Sequence, residues 1–271
     1  PARDPMVERG IEYILTFQQP DGGIYQQESA VANYETSIAM LALHACNTSR
    51  QYQEVIYRAE QFLTAIQWDE SEGNVPTDPE YGGAGYGRHE RPDLSNTAFL
   101  IDALHEIGTG PDNAAIKRAL IFVSRSQNLE GVHNTLPFAI KNPDGGFYYT
   151  PANGGESQAG KTANGGLRSY GSMTYAGLKS MLYAGVSSDD PRVLAAMNWL
   201  RRHYTFKENP GMGTAGLYYY LHCAAKALDA LGNDEFVDVD GVSHEWRKDL
   251  TTAILSMQQA NGSWVNDNSR W

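Results

Sequence analysis

The sequence predicts an all-α fold built from recurring pairs of helices, and three observations predict it. A turn recurs as Phe17-Gln18-Gln19-Pro20-Asp21-Gly22-Gly23-Ile24-Tyr25, as Asn142-Pro143-Asp144-Gly145-Gly146-Phe147-Tyr148 and as Met257-Gln258-Gln259-Ala260-Asn261-Gly262-Ser263-Trp264. Helical patterns on either side of such turns alternate between one apolar face and apolar nearly all round. The composition, 271 residues with 41% hydrophobic and 20% charged, suits one large core and a single domain over residues 1–271.

The first helix is expected over about 6–19, where Val7, Ile11, Ile14, Leu15 and Gln18 share a face and Glu8, Arg9 and Glu12 face water. It is an outer helix. The next, about 34–46, runs Tyr34-Glu35-Thr36-Ser37-Ile38-Ala39-Met40-Leu41-Ala42-Leu43-His44-Ala45-Cys46 and is apolar on every side, as in a helix covered by neighbours. Further outer helices follow at about 52–67 (Ile56, Ala59, Phe62, Leu63, Ile66), 112–127 (Ile116, Ala119, Leu120, Val123), 190–204 (Val193, Ala196, Met197, Leu200) and 246–259 (Leu250, Ile254, Met257). Inner helices are expected at about 95–107, 171–184 and 214–231. The alternation would continue with another inner helix just beyond Trp271, so the last inner helix is expected to be missing.

Long Gly-rich connections precede the inner helices, above all Gly131 to Ser169 with Asp144-Gly145-Gly146, Asn153-Gly154-Gly155 and Asn164-Gly165-Gly166. Loops of this length in a compact domain are usually functional. In a ring of hairpins they gather at the end that also carries the inner-helix N-termini, with their exposed N–H groups and partial positive charge.

Several function classes are disfavoured. A net charge of −11 with no Lys/Arg-rich run opposes nucleic acid. No apolar stretch approaches the roughly 18 residues of a membrane span. Pro1-Ala2-Arg3-Asp4-Pro5 is neither a signal peptide nor an initiator start, which points to processing or trimming and leaves the compartment open between cytoplasmic and periplasmic or secreted. Cys46 and Cys223 read as free thiols in apolar helices. Asp238-Val239-Asp240-Gly241 reads as a polar turn, lacking the further ligands of a calcium loop. Asn47-Thr48-Ser49 and Asn261-Gly262-Ser263 match the glycosylation sequon, a pattern frequent by chance. No P-loop, dinucleotide fingerprint or nucleophile elbow occurs, and no cofactor is indicated.

The unit of helix, Gln-x-x-Asp/Asn-Gly-Gly/Ser-aromatic, helix resembles the repeat of the squalene and oxidosqualene cyclases and the protein prenyltransferase β-subunits, in particular the bacterial prenyltransferase/squalene-oxidase-repeat proteins. The resemblance covers almost the whole chain. It implies an α/α toroid with a central cavity for a small-molecule or oligomeric ligand, though shared fold is weak warrant for shared chemistry.

Cyclases of this kind protonate an alkene with the central Asp of Asp-x-Asp-Asp-Thr-Ala at an inner-helix start. The matching segment is Asp93-Leu94-Ser95-Asn96-Thr97-Ala98, in which Ser95 and Asn96 stand where the acid pair would be. A serine hydroxyl cannot protonate an alkene, so the acid chemistry is in doubt. Asp93 after Pro92 also fits a helix N-cap. The prenyltransferase zinc set of Asp-x-Cys and His is absent too: His44 precedes Cys46 by two, Leu221 precedes Cys223 by two, and His222 and Cys223 diverge by about 100° on a helix. No metal site is expected.

The remaining candidates lie at the presumed loop end. Asp93, Arg168, Tyr170 and His222 are the catalytic candidates, with Tyr34, Glu35, Asn96, Ser172, Tyr175, Tyr218, Tyr219 and Tyr220 as ligand-binding ones. An aromatic-lined cavity could stabilise carbocations through ring faces or stack sugars and bond them through phenol oxygens. With 16 Tyr against 8 Phe and 5 Trp, and Gly/Asn/Ser-rich loops, the composition leans toward the wetter cavity. Three readings result. They are a terpenoid-cyclase or prenyltransferase-like toroid acting on an isoprenoid, a carbohydrate-active or carbohydrate-binding toroid of the polysaccharide-lyase kind using Tyr or Arg168 as base, and a non-catalytic protein-interaction scaffold.

Overall fold

The computed structural model describes residues 4–88 and 90–266. Residues 1–3 and 267–271, on which the expectations of trimming and of a further inner helix bear, lie outside the described residues. Ten α-helices and one two-stranded antiparallel hairpin occur among the described residues, so the protein is mainly helical. No described helix is long and apolar enough to cross a membrane.

The chain divides into two compact units, one ending at Phe122 and one beginning at Val123. The first holds α1 (Pro5–Leu15), α2 (Ala32–Cys46), α3 (Gln53–Ala65), α4 (Leu94–Glu106) and most of α5 (Ala114–Arg125). In it α2 packs on α1, α3 and α4. The second holds α6 (Pro137–Lys141), α7 (Gly171–Tyr183), α8 (Pro191–Arg202), α9 (Leu217–Ala230), β1 (Glu235–Val237), β2 (Ser243–Glu245) and α10 (Trp246–Ser256). There α7 packs on α8 and α9, and α10 on α9 and β2.

Local sequence explains where the helices begin. Asp4 before Pro5 and Asp190 before Pro191 cap α1 and α8, accepting the N–H of Met6 at 2.8 Å and of Arg192 at 2.9 Å. The expected contrast in burial holds for α3 against α7 but not for α2, which was expected to be covered on every side and leaves Tyr34 and Ile38 about 40% exposed. The helix α3 buries one face, Ile56, Ala59, Phe62 and Leu63, whereas α7 is buried without interruption from Gly171 to Met181.

The recurring turn has a repeated geometry. Gln19, Trp68 and Asn128 donate their backbone N–H to the carbonyls of Gly23, Gly83 and Gly146 at 2.8, 2.9 and 2.8 Å. The residues that follow, Ile24, Ala84 and Phe147, donate theirs to the hydroxyls of Thr36, Thr97 and Thr174 near the starts of α2, α4 and α7, at 3.0, 3.0 and 3.1 Å. Each buried N–H is thereby satisfied by the helix that the turn introduces. The copy at Trp68 and Gly82-Gly83 escapes a sequence search because Tyr81 precedes its glycines where the other copies have Asp21, Asp144 and Asn261.

Several expectations need correction. Helices were expected to end in Gln, but α1, α3, α5 and α10 stop at Leu15, Ala65, Arg125 and Ser256, and the glutamines stand in the turn beyond. The reason is visible in Gln67 and Gln127. Their Nε2 groups donate to Gly82 O (2.9 Å) and Ala115 O (2.9 Å), and to Gly145 O (2.9 Å) and Arg192 O (2.8 Å), tying the turn to the first turn of α5 and of α8. The expected helix from 214 begins only at Leu217, because Gly213 and Gly216 take left-handed φ of 60° and 65°. The short α6, which starts at Pro137, and the β1–β2 hairpin around Asp238-Val239-Asp240-Gly241 were not anticipated. Elements this short carry too few periods to show in a pattern.

Candidate functional site

Asp93 occupies the N-cap of α4 and is 1% exposed. Its Oδ1 accepts the backbone N–H of Asn96 at 2.9 Å and its Oδ2 the Asn96 side-chain amide at 2.8 Å. Asn33 of α2 joins this buried group, donating to Gly85 O at 2.8 Å and Asn96 O at 3.4 Å. The arrangement engages both carboxylate oxygens as acceptors, so Asp93 builds a helix start. Nearby on α2, Tyr34 is exposed and edge-on to Phe99 at 4.8 Å, and half-buried Glu35 accepts the Gln26 N–H at 3.3 Å.

A second group joins α7 and α9. The N–H of Ser172 donates to Asn209 Oδ1 at 3.0 Å, and Asn209 Nδ2 returns a bond to Ser172 Oγ at 3.3 Å. Tyr170, also buried, precedes α7 with its N–H on Phe147 O at 3.2 Å. The rings of Tyr175 and Tyr220 lie 5.7 Å apart in full burial, and the Tyr220 hydroxyl donates to Thr205 O at 2.5 Å. Burial drives both phenols far above their ordinary value. Neither is an available base near neutrality, which removes them from that role. On the same helix Tyr218 is half-buried and donates to Val265 O at 3.2 Å, Tyr219 is half-buried, and His222 is exposed.

Arg168 lies elsewhere, in a pocket of about 380 Å³ within the second unit. The turn at Asn142 and Asp144, the loop residues Ala159, Thr162, Arg168 and Ser169, the α8 end with Trp199, Arg202 and His203, and Gly211 line it. The loop is pinned by its own backbone: Arg168 N–H donates to Gly160 O at 3.0 Å and Ser157 Oγ to Arg168 O at 2.6 Å. Arg168 Nε donates to Lys161 O at 3.1 Å and Arg202 Nη2 to Asp144 O at 2.9 Å. The Asp144 carboxylate is occupied internally, by Gly146 N–H (3.0 Å) and Ser169 Oγ (2.6 Å) on Oδ1 and by Asn142 Nδ2 (3.2 Å) on Oδ2. The exposed His203 ring is stacked on buried Trp199 at 4.0 Å, and its Nδ1 lies 2.7 Å from Trp199 O. A carbonyl can only accept, so Nδ1 carries a proton.

A second pocket, of about 440 Å³, lies at the α8 start against Gln127, His133, Asp190 and Arg192. Its arginine is already matched: Nε and Nη2 of Arg192 meet Asp190 at 2.9 and 2.8 Å, and Nη1 meets Ser124 Oγ at 3.0 Å. Burial, with Arg192 and Arg125 close by, holds His133 below its ordinary pKa. The first pocket alone of these two leaves guanidinium groups bonded only to neutral carbonyls.

The sequence candidates therefore separate. Asp93 and Asn96 meet, as do Tyr175 and Tyr220, Ser172 bonds to Asn209, and Arg168 stands with residues not foreseen: Trp199, Arg202 and His203. Their signal in the sequence is an aromatic and a histidine four apart at a basic helix end, away from the helix starts where the other candidates lie. Among the described residues no group of three or more His, Cys, Asp and Glu could hold a metal ion. No family model matches the chain, and no curated protein matches it.

Proposed function

We propose that the chain is a repeat protein of the α/α-toroid type that binds a hydroxylated, saccharide-like ligand in the Arg168 pocket. The observation that carries the reading is the character of that pocket. Its walls combine two arginines, each with N–H groups beyond its one carbonyl bond, and an aromatic stack, on a frame in which Asn142, Thr162 and Ser169 are bonded to the turn and loop. Guanidinium donors beside a flat ring surface suit a sugar, whose hydroxyls need partners and whose ring faces are apolar. An isoprenoid gains little from such walls, since burying a polar group without a partner is unfavourable.

The turn geometry repeated at Gly23, Gly83 and Gly146 supports the toroid part, as recurring hairpin units stack through a shared contact. The state of Asp93 bears on the competing cyclase reading. A carboxylate with both oxygens bonded to amide donors is poorly placed to give a proton to an alkene.

Thermal melting tests the proposal, since a ligand that binds only the folded chain raises the midpoint. Neutral oligosaccharides, oligogalacturonate, squalene and a prenyl diphosphate are compared. A rise with a saccharide and none with squalene is expected. A rise with squalene or the prenyl diphosphate alone, or with no compound at all, overturns the reading.

A further inference from the structure

The charge of the Arg168 pocket goes further than its polarity. Two guanidinium groups, Arg168 and Arg202, line it, and among the described residues their hydrogen bonds run to the carbonyls of Lys161 and Asp144. No described ion pair involves either arginine. The one carboxylate on the wall, Asp144, is occupied by Gly146, Ser169 and Asn142, and so is committed to shaping the turn. Arg118, Arg192 and Arg247 are matched by carboxylates, at 3.0 Å to Asp69, 2.8 Å to Asp190, and 2.6 and 2.7 Å to Asp229 and Asp234, whereas Arg58 and Arg201 bond to Pro20 O and to Asn198 Oδ1. What distinguishes Arg168 and Arg202 is that both line one pocket whose carboxylate is already occupied.

We propose that the ligand of this pocket is an acidic saccharide whose carboxylate is held between Arg168 and Arg202. The proposal rests on the saccharide reading above and names its substrate class. A guanidinium presents a planar fork of donors that matches a carboxylate, and such charge-assisted pairs are stronger than neutral hydrogen bonds. Each arginine is already anchored by one N–H on a backbone carbonyl, which orients the group and leaves other N–H groups for a ligand. The exposed His203 ring, held flat on Trp199, offers a surface for the sugar ring, and its Nε2 an acceptor for a ligand hydroxyl. The negative charge of the whole chain opposes long polyanions at a distance, so a short acidic oligosaccharide fits better than an extended polymer.

Calorimetric titration of the intact chain with oligogalacturonate, a neutral cello-oligosaccharide of equal length, a sulfated oligosaccharide and inorganic sulfate tests this. Oligogalacturonate is expected to bind at least about ten-fold more tightly than the neutral sugar, the size of one charge-assisted contact. Arg168→Gln and Arg202→Gln should each weaken oligogalacturonate by more than they weaken the neutral sugar and so remove most of that preference, whereas Lys117→Gln, on an exposed lysine of the first unit, should change the affinity for neither. Equal affinity for acidic and neutral sugars overturns the inference while the saccharide reading stands, and needs no variant to be seen. Tighter binding of the sulfated sugar or of inorganic sulfate than of oligogalacturonate overturns the carboxylate assignment. Absence of binding by every sugar overturns both readings together.

Discussion

Gly82 shows how a single atom controls the repeated turn. Its φ is +83°, and a Cβ there would come within 1.9 Å of the Arg118 carbonyl oxygen on α5. Gly22 and Gly145 make the same approach to Arg58 O and Ala195 O, at 2.6 and 2.8 Å. The first glycine of each Gly-Gly pair thus lets the turn lie against the backbone of α3, α5 or α8. Gly108 separates the two costs of replacing such a residue, because its φ is +89° and nothing lies within 4 Å of its Cβ position. Gly108→Ala should cost about 1–2 kcal/mol, the penalty of a left-handed L-residue, and Gly82→Ala clearly more. Urea denaturation of the two variants checks this, and equal losses would show that contact with Arg118 is not what requires Gly82. Gly22 and Gly145 were legible from the sequence as part of the recurring turn, and Gly82 was not. Which carbonyl each one meets was not legible either, since Gly82 and Arg118 are far apart in the chain.

At the scale of the element, helix starts were the most legible feature. Asp93 was read as the cap of α4 and is one, while the caps at Asp190-Pro191 and Asp4-Pro5, whose bonds also span only a few residues, were not read as such. At α8 the cap also has an electrostatic part. Hydrogen bonds from the Arg192 side chain, with the Arg192 backbone N–H and its charge, hold Asp190 below the ordinary carboxylate value. A depressed folded-state pKa supplies stability that is complete above the unfolded value, near about 3.9, and is lost as pH falls through the lower folded value. Asp190→Asn should therefore be less stable than the parent chain at about pH 6, and the gap should close as the pH falls below about 4. A gap that stays constant or widens with acid, measured by denaturant unfolding across this range, would refute the assignment. Helix ends were read less well. The glutamines after α3 and α5 continue the helical pattern, yet their amides are drawn to carbonyls of the turn and of the next helix, a competition that periodicity cannot register.

For the molecule as a whole, charge and helical content were fixed by composition and pattern, and they constrain partners directly. A net charge of −11 spread over a chain without a basic run should give no retardation of duplex DNA in a gel at about 100 mM salt. A shifted band would mean that the arginines of the second unit form a larger positive surface than the Arg168 pocket. By itself, the sequence determined that the protein is mainly helical, that its turns repeat and that two well-known acid and zinc motifs are incomplete. Periodicity, capping and motif chemistry are local, and so survive in one dimension. Only the tertiary structure decided that Asp93 and Tyr220 are engaged in packing, and that Arg168 shares a pocket with Trp199, Arg202 and His203. Those neighbours come from a turn, a loop and a helix end separated along the chain, and what brings them together is long-range packing, which leaves no period in the sequence.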